Sequence, residues 1–169
     1  PATISTDHPG YLSFIPSAPT ESSKLFDLIV SASAIYGGSW LEGAGAVYAE
    51  NEVLSWFAKE CGLPNSAGGV FVQGGTLGNL SALVTAREIF RKQHGSTKRL
   101  AFICSKEAHS SLKSAAKVMD VDIISVPCED SGKLTGEAIK ASVAAEDFAR
   151  TFAIVATGGT TNFGIVDDI

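Results

Sequence analysis

Three short segments of this sequence carry residue types that hold or transform a small ligand. The first is Gln73-Gly74-Gly75-Thr76-Leu77-Gly78-Asn79. Glycines let a backbone approach a ligand closely, and successive N–H groups can form a concave anion site. A helix starting beneath them adds partial positive charge, and Thr76 can cap that helix or offer its hydroxyl to a phosphate. The spacing is not G-x-G-x-x-G and no G-K-[ST] follows, so dinucleotide and P-loop readings lose support. The same residues also suit an ordinary tight turn with a capping threonine.

The second segment is Ser105-Lys106-Glu107-Ala108-His109-Ser110-Ser111. His109 stands just before a helix whose N-cap is expected at Ser110 or Ser111. A histidine there can stack on a flat aromatic ligand, move a proton, or simply pack. His8 precedes a proline in a turn and His94 ends a helix, so neither is assigned chemistry. The third segment, Ala156-Thr157-Gly158-Gly159-Thr160-Thr161-Asn162-Phe163-Gly164, ends an apolar run in hydroxyls and glycines. Its bland reading is a connection whose Thr and Asn satisfy their own turns. Asp167 and Asp168 do not make a metal pair, because adjacent carboxylates on an extended segment point opposite ways. No His or Cys stands at ligand spacing from them, so no metal site is expected.

Elements that would position these segments follow from periodicity. Helices are expected over Ser22–Tyr36 and Val47–Cys61, the latter from Glu50, Val53, Leu54, Phe57, Ala58 and Cys61. Gly62 and Pro64 stop it. Further on, strands are expected at Gly69–Gln73, Leu100–Cys104, Val121–Val126 and Thr151–Ala156, alternating with helices at Leu80–Phe90, Ser110–Met119 and Thr135–Phe148. That rhythm predicts an α/β fold, a largely parallel sheet with helices on both faces. Ligands of such sheets sit beyond the carboxyl ends of the strands, where all three segments fall.

Composition narrows the classes. The chain has 169 residues, 13 basic and 18 acidic, with a net charge of −5 and 45% hydrophobic residues. It has one domain's worth of sequence and enough apolar residues for a core. The acidic balance argues against a nucleic-acid partner. Cys61–Ala86 is uncharged and long enough to span a bilayer. Its Pro64, Asn65, Gln73, Asn79 and six glycines would leave backbone groups unsatisfied in lipid, so no membrane association is expected. Three cysteines in unrelated contexts fit reduced thiols and a cytoplasmic protein. Met119 is the sole methionine, and Ile169 directly follows a strand and a glycine loop, so the chain is expected to be a piece of something longer.

Taken together, the segments resemble the group II pyridoxal-phosphate-dependent decarboxylases, the family of aromatic-L-amino-acid, tryptophan, histidine and glutamate decarboxylases. The likeness runs through His8-Pro9-Gly10-Tyr11, Phe14-Ile15-Pro16, Gln73 to Asn79, Ala108-His109-Ser110-Ser111 and Gly159-Thr160-Thr161-Asn162-Phe163-Gly164. It implies the large domain of the aspartate-aminotransferase-like fold (fold type I), with pyridoxal 5'-phosphate as cofactor and an amino acid as substrate. Gly75 and Thr76 match residues that hold the cofactor phosphate. His109 matches the imidazole stacked on the pyridine ring, a catalytic position, and Thr161 a hydroxyl near the other face. Ile15, Pro16 and the stretch from Tyr36 to Trp40 match a substrate pocket shared across a homodimer. Gly38 stands where members acting on aromatic substrates often carry a bulkier residue.

The resemblance also implies a division, with 1–62 a helical segment bearing substrate and dimer contacts and 63–169 part of the cofactor-binding domain. The lysine that anchors the cofactor and the aspartate at its ring nitrogen are expected beyond Ile169, as is a small C-terminal domain. Of the nine lysines, only Lys106 falls at the ligand edge, and the family motif does not place its lysine there. By itself the chain is therefore expected to bind cofactor weakly, through the phosphate, and to turn over nothing, unless a second chain supplies the rest. A carbon–carbon or sulfur lyase of the same fold, and a non-catalytic fragment, are the competing expectations.

Overall fold

A computed structural model describes residues 4–13, 16–95, 98–128 and 131–168. The chain divides into two compact units, Pro1–Phe71 and Val72–Ile169.

The first unit is helical. Helix α1, Glu21–Ser33, starts where the Thr20 side chain accepts a hydrogen bond from the Ser23 amide at 3.2 Å, and ends at left-handed Ala34. Helix α2 spans Trp40–Glu60 and is kinked at Gly43. A Cβ on Gly43 would occupy the place of the Tyr36 carbonyl, so only glycine lets the chain fold back this closely. The helix starts seven residues before the expected Val47, because Gly43 and Gly45 interrupt the apolar period that marks its later turns. Among the described residues of this unit, Gly43 alone is buried.

Gly69–Gln73 is not a strand. The Phe71 amide donates to the Glu50 carboxylate at 2.9 Å, and Val70 and Phe71 are exposed, so an apolar run has formed without a ladder partner.

The second unit holds the sheet. Helix α3 covers Gly74–His94, so the expected glycine loop is in fact its first turn. Gly74 enters at φ +75°, and basic Arg91, Lys92 and His94 crowd the last turn, where they favour the helix dipole. Strand β1 (Ala101–Ser105), helix α4 (Ser111–Met119) and strand β2 (Asp122–Val126) follow. The expected helix at 135–148 is two pieces, α5 (Gly136–Ser142) and α6 (Ala145–Phe148), because Val143 is extended. Ser142 and β-branched Val143 have little helix propensity to resist that break. Strand β3, Thr151–Val155, completes a parallel sheet of order β2-β1-β3. The described sheet thus has three strands, where four were expected.

Central β1 is buried along its whole length. Phe102 and Cys104 face one side, against Leu83 of α3 and Leu112, Ala115, Ala116 and Met119 of α4. Those α4 residues recur at i, i+3, i+4 and i+7, the stripe a helix needs to lie on a sheet. Ile103 faces the other side, with Val126, Leu134 and Ile139 of α5. Helices therefore cover both faces. Full burial of Phe102 or Leu112 contributes roughly 1.5–3 kcal/mol each.

The amino edge of the sheet is closed by charge. Asp122 takes Arg99 Nε at 2.7 Å on one oxygen and Arg150 Nη1 at 2.5 Å on the other. Arg99 also reaches Asp120, and Arg150 reaches Asp147, both at 2.7 Å. These guanidinium groups hold the Asp122 carboxyl below its ordinary range.

Candidate functional site

The carboxyl edge is built differently. Helix geometry leaves the Gly75 and Thr76 amides without an intrahelical acceptor. Gln73, the N-cap, makes no side-chain cap, and the Gly74 amide turns back to the Val72 carbonyl at 2.9 Å. Thr76 therefore lies inside the first turn and does not cap it. Nothing stands within 4 Å of where a Cβ would sit on Gly74 or Gly75, so the turn is open on that side. Gly75 and Thr76 are exposed. Two free amides, an exposed hydroxyl and the positive end of a 21-residue helix suit a phosphate.

His109 stands between β1 and α4. Its carbonyl accepts from the Leu112 amide at 3.1 Å, which ties its backbone to the helix start. Ser110 is the N-cap by position but makes no side-chain cap. The working hydroxyl is that of Ser111, buried, with Oγ 2.8 Å from His109 Nδ1 and the amide nitrogen 3.2 Å from the same atom. From α3, Asn79 Nδ2 donates to Ser111 Oγ at 2.8 Å. The glycine-bearing turn and the histidine are thus joined through two side chains. Asn79 was legible as part of the loop motif and Ser111 as a possible cap and motif residue, but the bond between them was not.

The loop after β3 turns on Thr160, which is buried, while Thr161 is exposed. Thr160 Oγ1 accepts from the Ile165 amide at 3.1 Å, and its own amide donates to the Ile165 carbonyl at 2.9 Å. Asp167 anchors the loop. Its two carboxylate oxygens accept from the Leu134 and Thr157 amides, each at 2.8 Å. Asp168 is exposed, so the two neighbouring carboxylates do point opposite ways. The anchoring role of Asp167 was not legible in the sequence because its partners lie 33 and 10 residues away. Among the described residues, no cluster of three or more His, Cys, Asp or Glu could hold a metal ion.

Two cavities link the three segments. One, of about 300 Å³, is lined by Asn79 of the first segment, Ala156 of the third and Leu112 of α4, which directly follows the second. The other, of about 370 Å³, brings Lys106 and Glu107 to Phe163 and Ile165 beside Cys128. The anchoring elements of Thr76, His109 and Thr161 therefore share one edge of the sheet. Pro16 and Tyr36 belong to the first unit, where both are exposed and the Tyr36 ring folds over Gly38. Ile15 lies outside the described residues.

Residues 2–169 match the family model of the pyridoxal-dependent decarboxylase conserved domain. The chain belongs to that family. Within the pyridoxal-dependent decarboxylases, it is 30% identical to an aromatic-L-amino-acid decarboxylase of Bacillus atrophaeus over 96% of its length. It is 29% identical to tryptophan decarboxylase 2 of Oryza sativa subsp. japonica over its whole length. These alignments cover 35% and 37% of the two relatives, so the chain spans about a third of their length. The structure superposes on Oryza sativa TDC, solved with PLP, at TM-score 0.79 and 27% identity, covering 92% of this chain and 38% of that one. Mouse CSAD gives 0.83 and 25%, over 96% and 36%. The decarboxylase family is pyridoxal-dependent, and the type I fold expected from the motifs is the one observed.

Proposed function

We propose that this chain is the phosphate-holding part of a pyridoxal 5'-phosphate-dependent amino-acid decarboxylase. The open, uncapped first turn of α3 beside His109 carries the reading. The Gly75 and Thr76 amides and the Thr76 hydroxyl bind the phosphate, His109 lies against the pyridine ring, and Thr161 serves its other face. The family resemblance assigns Ile15, Pro16 and Tyr36 to substrate contact in the whole enzyme. When bound, the cofactor takes up the electron pair left as an amino acid loses carbon dioxide. The protein's own part is to orient and to exclude competing geometries. Turnover in this reading belongs to the whole enzyme, since the chain spans about a third of its relatives' length.

The whole enzyme is a cytoplasmic homodimer in this reading. Exposed Tyr36, Trp40, Leu41 and Tyr48 support a subunit contact in the first unit, and three free cysteines fit a reducing compartment. A strict monomer in sedimentation at high concentration would count against the contact. The phosphate reading is tested by titrating the labelled chain with pyridoxal 5'-phosphate and with pyridoxal. The phosphorylated compound should shift the Gly75 and Thr76 amide signals, and the unphosphorylated one should not. Equal responses, or none, would overturn it.

A further inference from the structure

The hydrogen-bond chain between α3 and α4 has a direction, and that direction assigns a role to two residues. We propose that Asn79 and Ser111 are positioning residues for His109, fixing its neutral ring as the tautomer with the proton on Nε2. One group in this hydrogen-bond chain cannot be reversed. The Ser111 backbone N–H can only donate, and it points at His109 Nδ1 from 3.2 Å. Nδ1 therefore presents a lone pair. Ser111 Oγ, 2.8 Å from that same nitrogen, must then be a second donor to it. A hydroxyl has a single hydrogen, now spent on the imidazole, so the oxygen has only lone pairs left for its other neighbour. Asn79 must meet it with its NH2 group, as it does at 2.8 Å. With Nδ1 sharing its lone pair between the two Ser111 donors, the polarity runs from Asn79 to Ser111 to His109.

Two consequences follow. Ser111 is buried and His109 is exposed, so Nδ1 is turned to the protein and Nε2 to the open side. The ring offers an N–H donor at the ligand edge, not a lone pair. The same helix whose first amides stand open also sets the histidine through Asn79, so the phosphate end and the ring are positioned by one element. What His109 faces rests on the proposed function; its tautomer does not.

The test reads nitrogen and carbon shifts of the His109 ring in the labelled chain, at a pH where the ring is neutral. Wild type should show Nε2–H as the dominant form. N79D opposes this polarity, because a carboxylate can only accept from Ser111, whose oxygen is then free to accept from Nδ1–H in competition with the backbone donor. The Nδ1–H form should rise several-fold. S111A should raise it less, because the backbone donor remains, and S111T should restore the wild-type ratio. Amide signals away from 74–80 and 105–113 report whether each variant has folded, and N79A replaces N79D if the charge disrupts α3. A dominant Nδ1–H form in wild type, or an unchanged ratio in all folded variants, would overturn the proposal. Because the readout needs no cofactor, a failed pyridoxal phosphate titration would sink the phosphate site and leave this result standing.

Discussion

The two edges of one sheet are fastened by opposite means. At the amino edge, side chains of Arg99, Arg150, Asp122, Asp120 and Asp147 pair with one another at the surface, Arg99 and Asp120 exposed and the other three half-buried. At the carboxyl edge, side chains instead hold backbone: Asp167 grips two amides and Thr160 a third. Exposed ion pairs are cheap to lose and tolerate rearrangement, whereas a buried carboxylate on amides fixes where a loop runs. The edge that must present Gly75, Thr76, His109 and Thr161 in register has the second kind of fastening. The edge with no such task has the first.

The largest effect expected from this contrast is at Asp167. Removing its carboxylate leaves the buried Leu134 amide and the Thr157 amide without an acceptor, each a desolvation penalty of roughly 1–3 kcal/mol. D167A should cost about 3 kcal/mol in urea unfolding at neutral pH, and D167N less, since one carbonyl oxygen remains. The loop from Thr157 to Val166 should become protease-sensitive in D167A before the sheet unfolds. A loss below about 0.5 kcal/mol would mean that the carboxyl edge is no more firmly fixed than the amino edge.

How much of this was legible beforehand depends on the range of the signal. The β1-α4-β2 run was placed within a residue, because Phe102, Cys104, Leu112, Ala115 and Met119 obey strict local periods. The strand at Gly69–Gln73 failed because a strand needs a neighbour, which no local pattern can reveal. The turn at Gly74 was read as a loop because glycines lower helix propensity, and an open N-terminus is where that penalty is tolerated. Of the site, His109 and the glycines were legible as types at motif spacing. Asn79–Ser111 and Asp167–Leu134 were not, since those pairs are made by the fold across 32 and 33 residues.

A second expected effect lies in the core between the edges. Burial pushes the Cys104 thiol up to about 11. The native state then keeps its proton after the unfolded chain has ionised. Stability from this group is full below the unfolded pKa and falls as pH rises from about 9 towards 11, by roughly 2–3 kcal/mol in all. Cys128, also raised by burial, should be modified slowly by a thiol reagent at mild pH and exposed Cys61 quickly. Cys104 should react only on unfolding. Modification of Cys104 at the rate of Cys61 would show that the α3–α4 layer opens freely over β1.

The smallest expected effect is at Asp122, which the comparison needs to be small. Its pKa is lowered, first by the Arg150 hydrogen bond and then by that of Arg99. A depressed carboxyl contributes stability above its unfolded pKa and loses it as pH falls through the folded value. The window is therefore the acid limb below about pH 4. The side chain is 38% exposed, so solvent screening leaves no more than about 1 kcal/mol. D122N should lower the urea midpoint slightly at neutral pH, flatten the acid limb, and respond weakly in high salt, where the wild-type pairs are already screened. Arg150 would keep Asp147 and the Arg99 carbonyl, which is why the strand ends should stay in register. A loss as large as that of D167A would instead mean that the ion pairs hold the sheet together, and the functional distinction between its two edges would vanish.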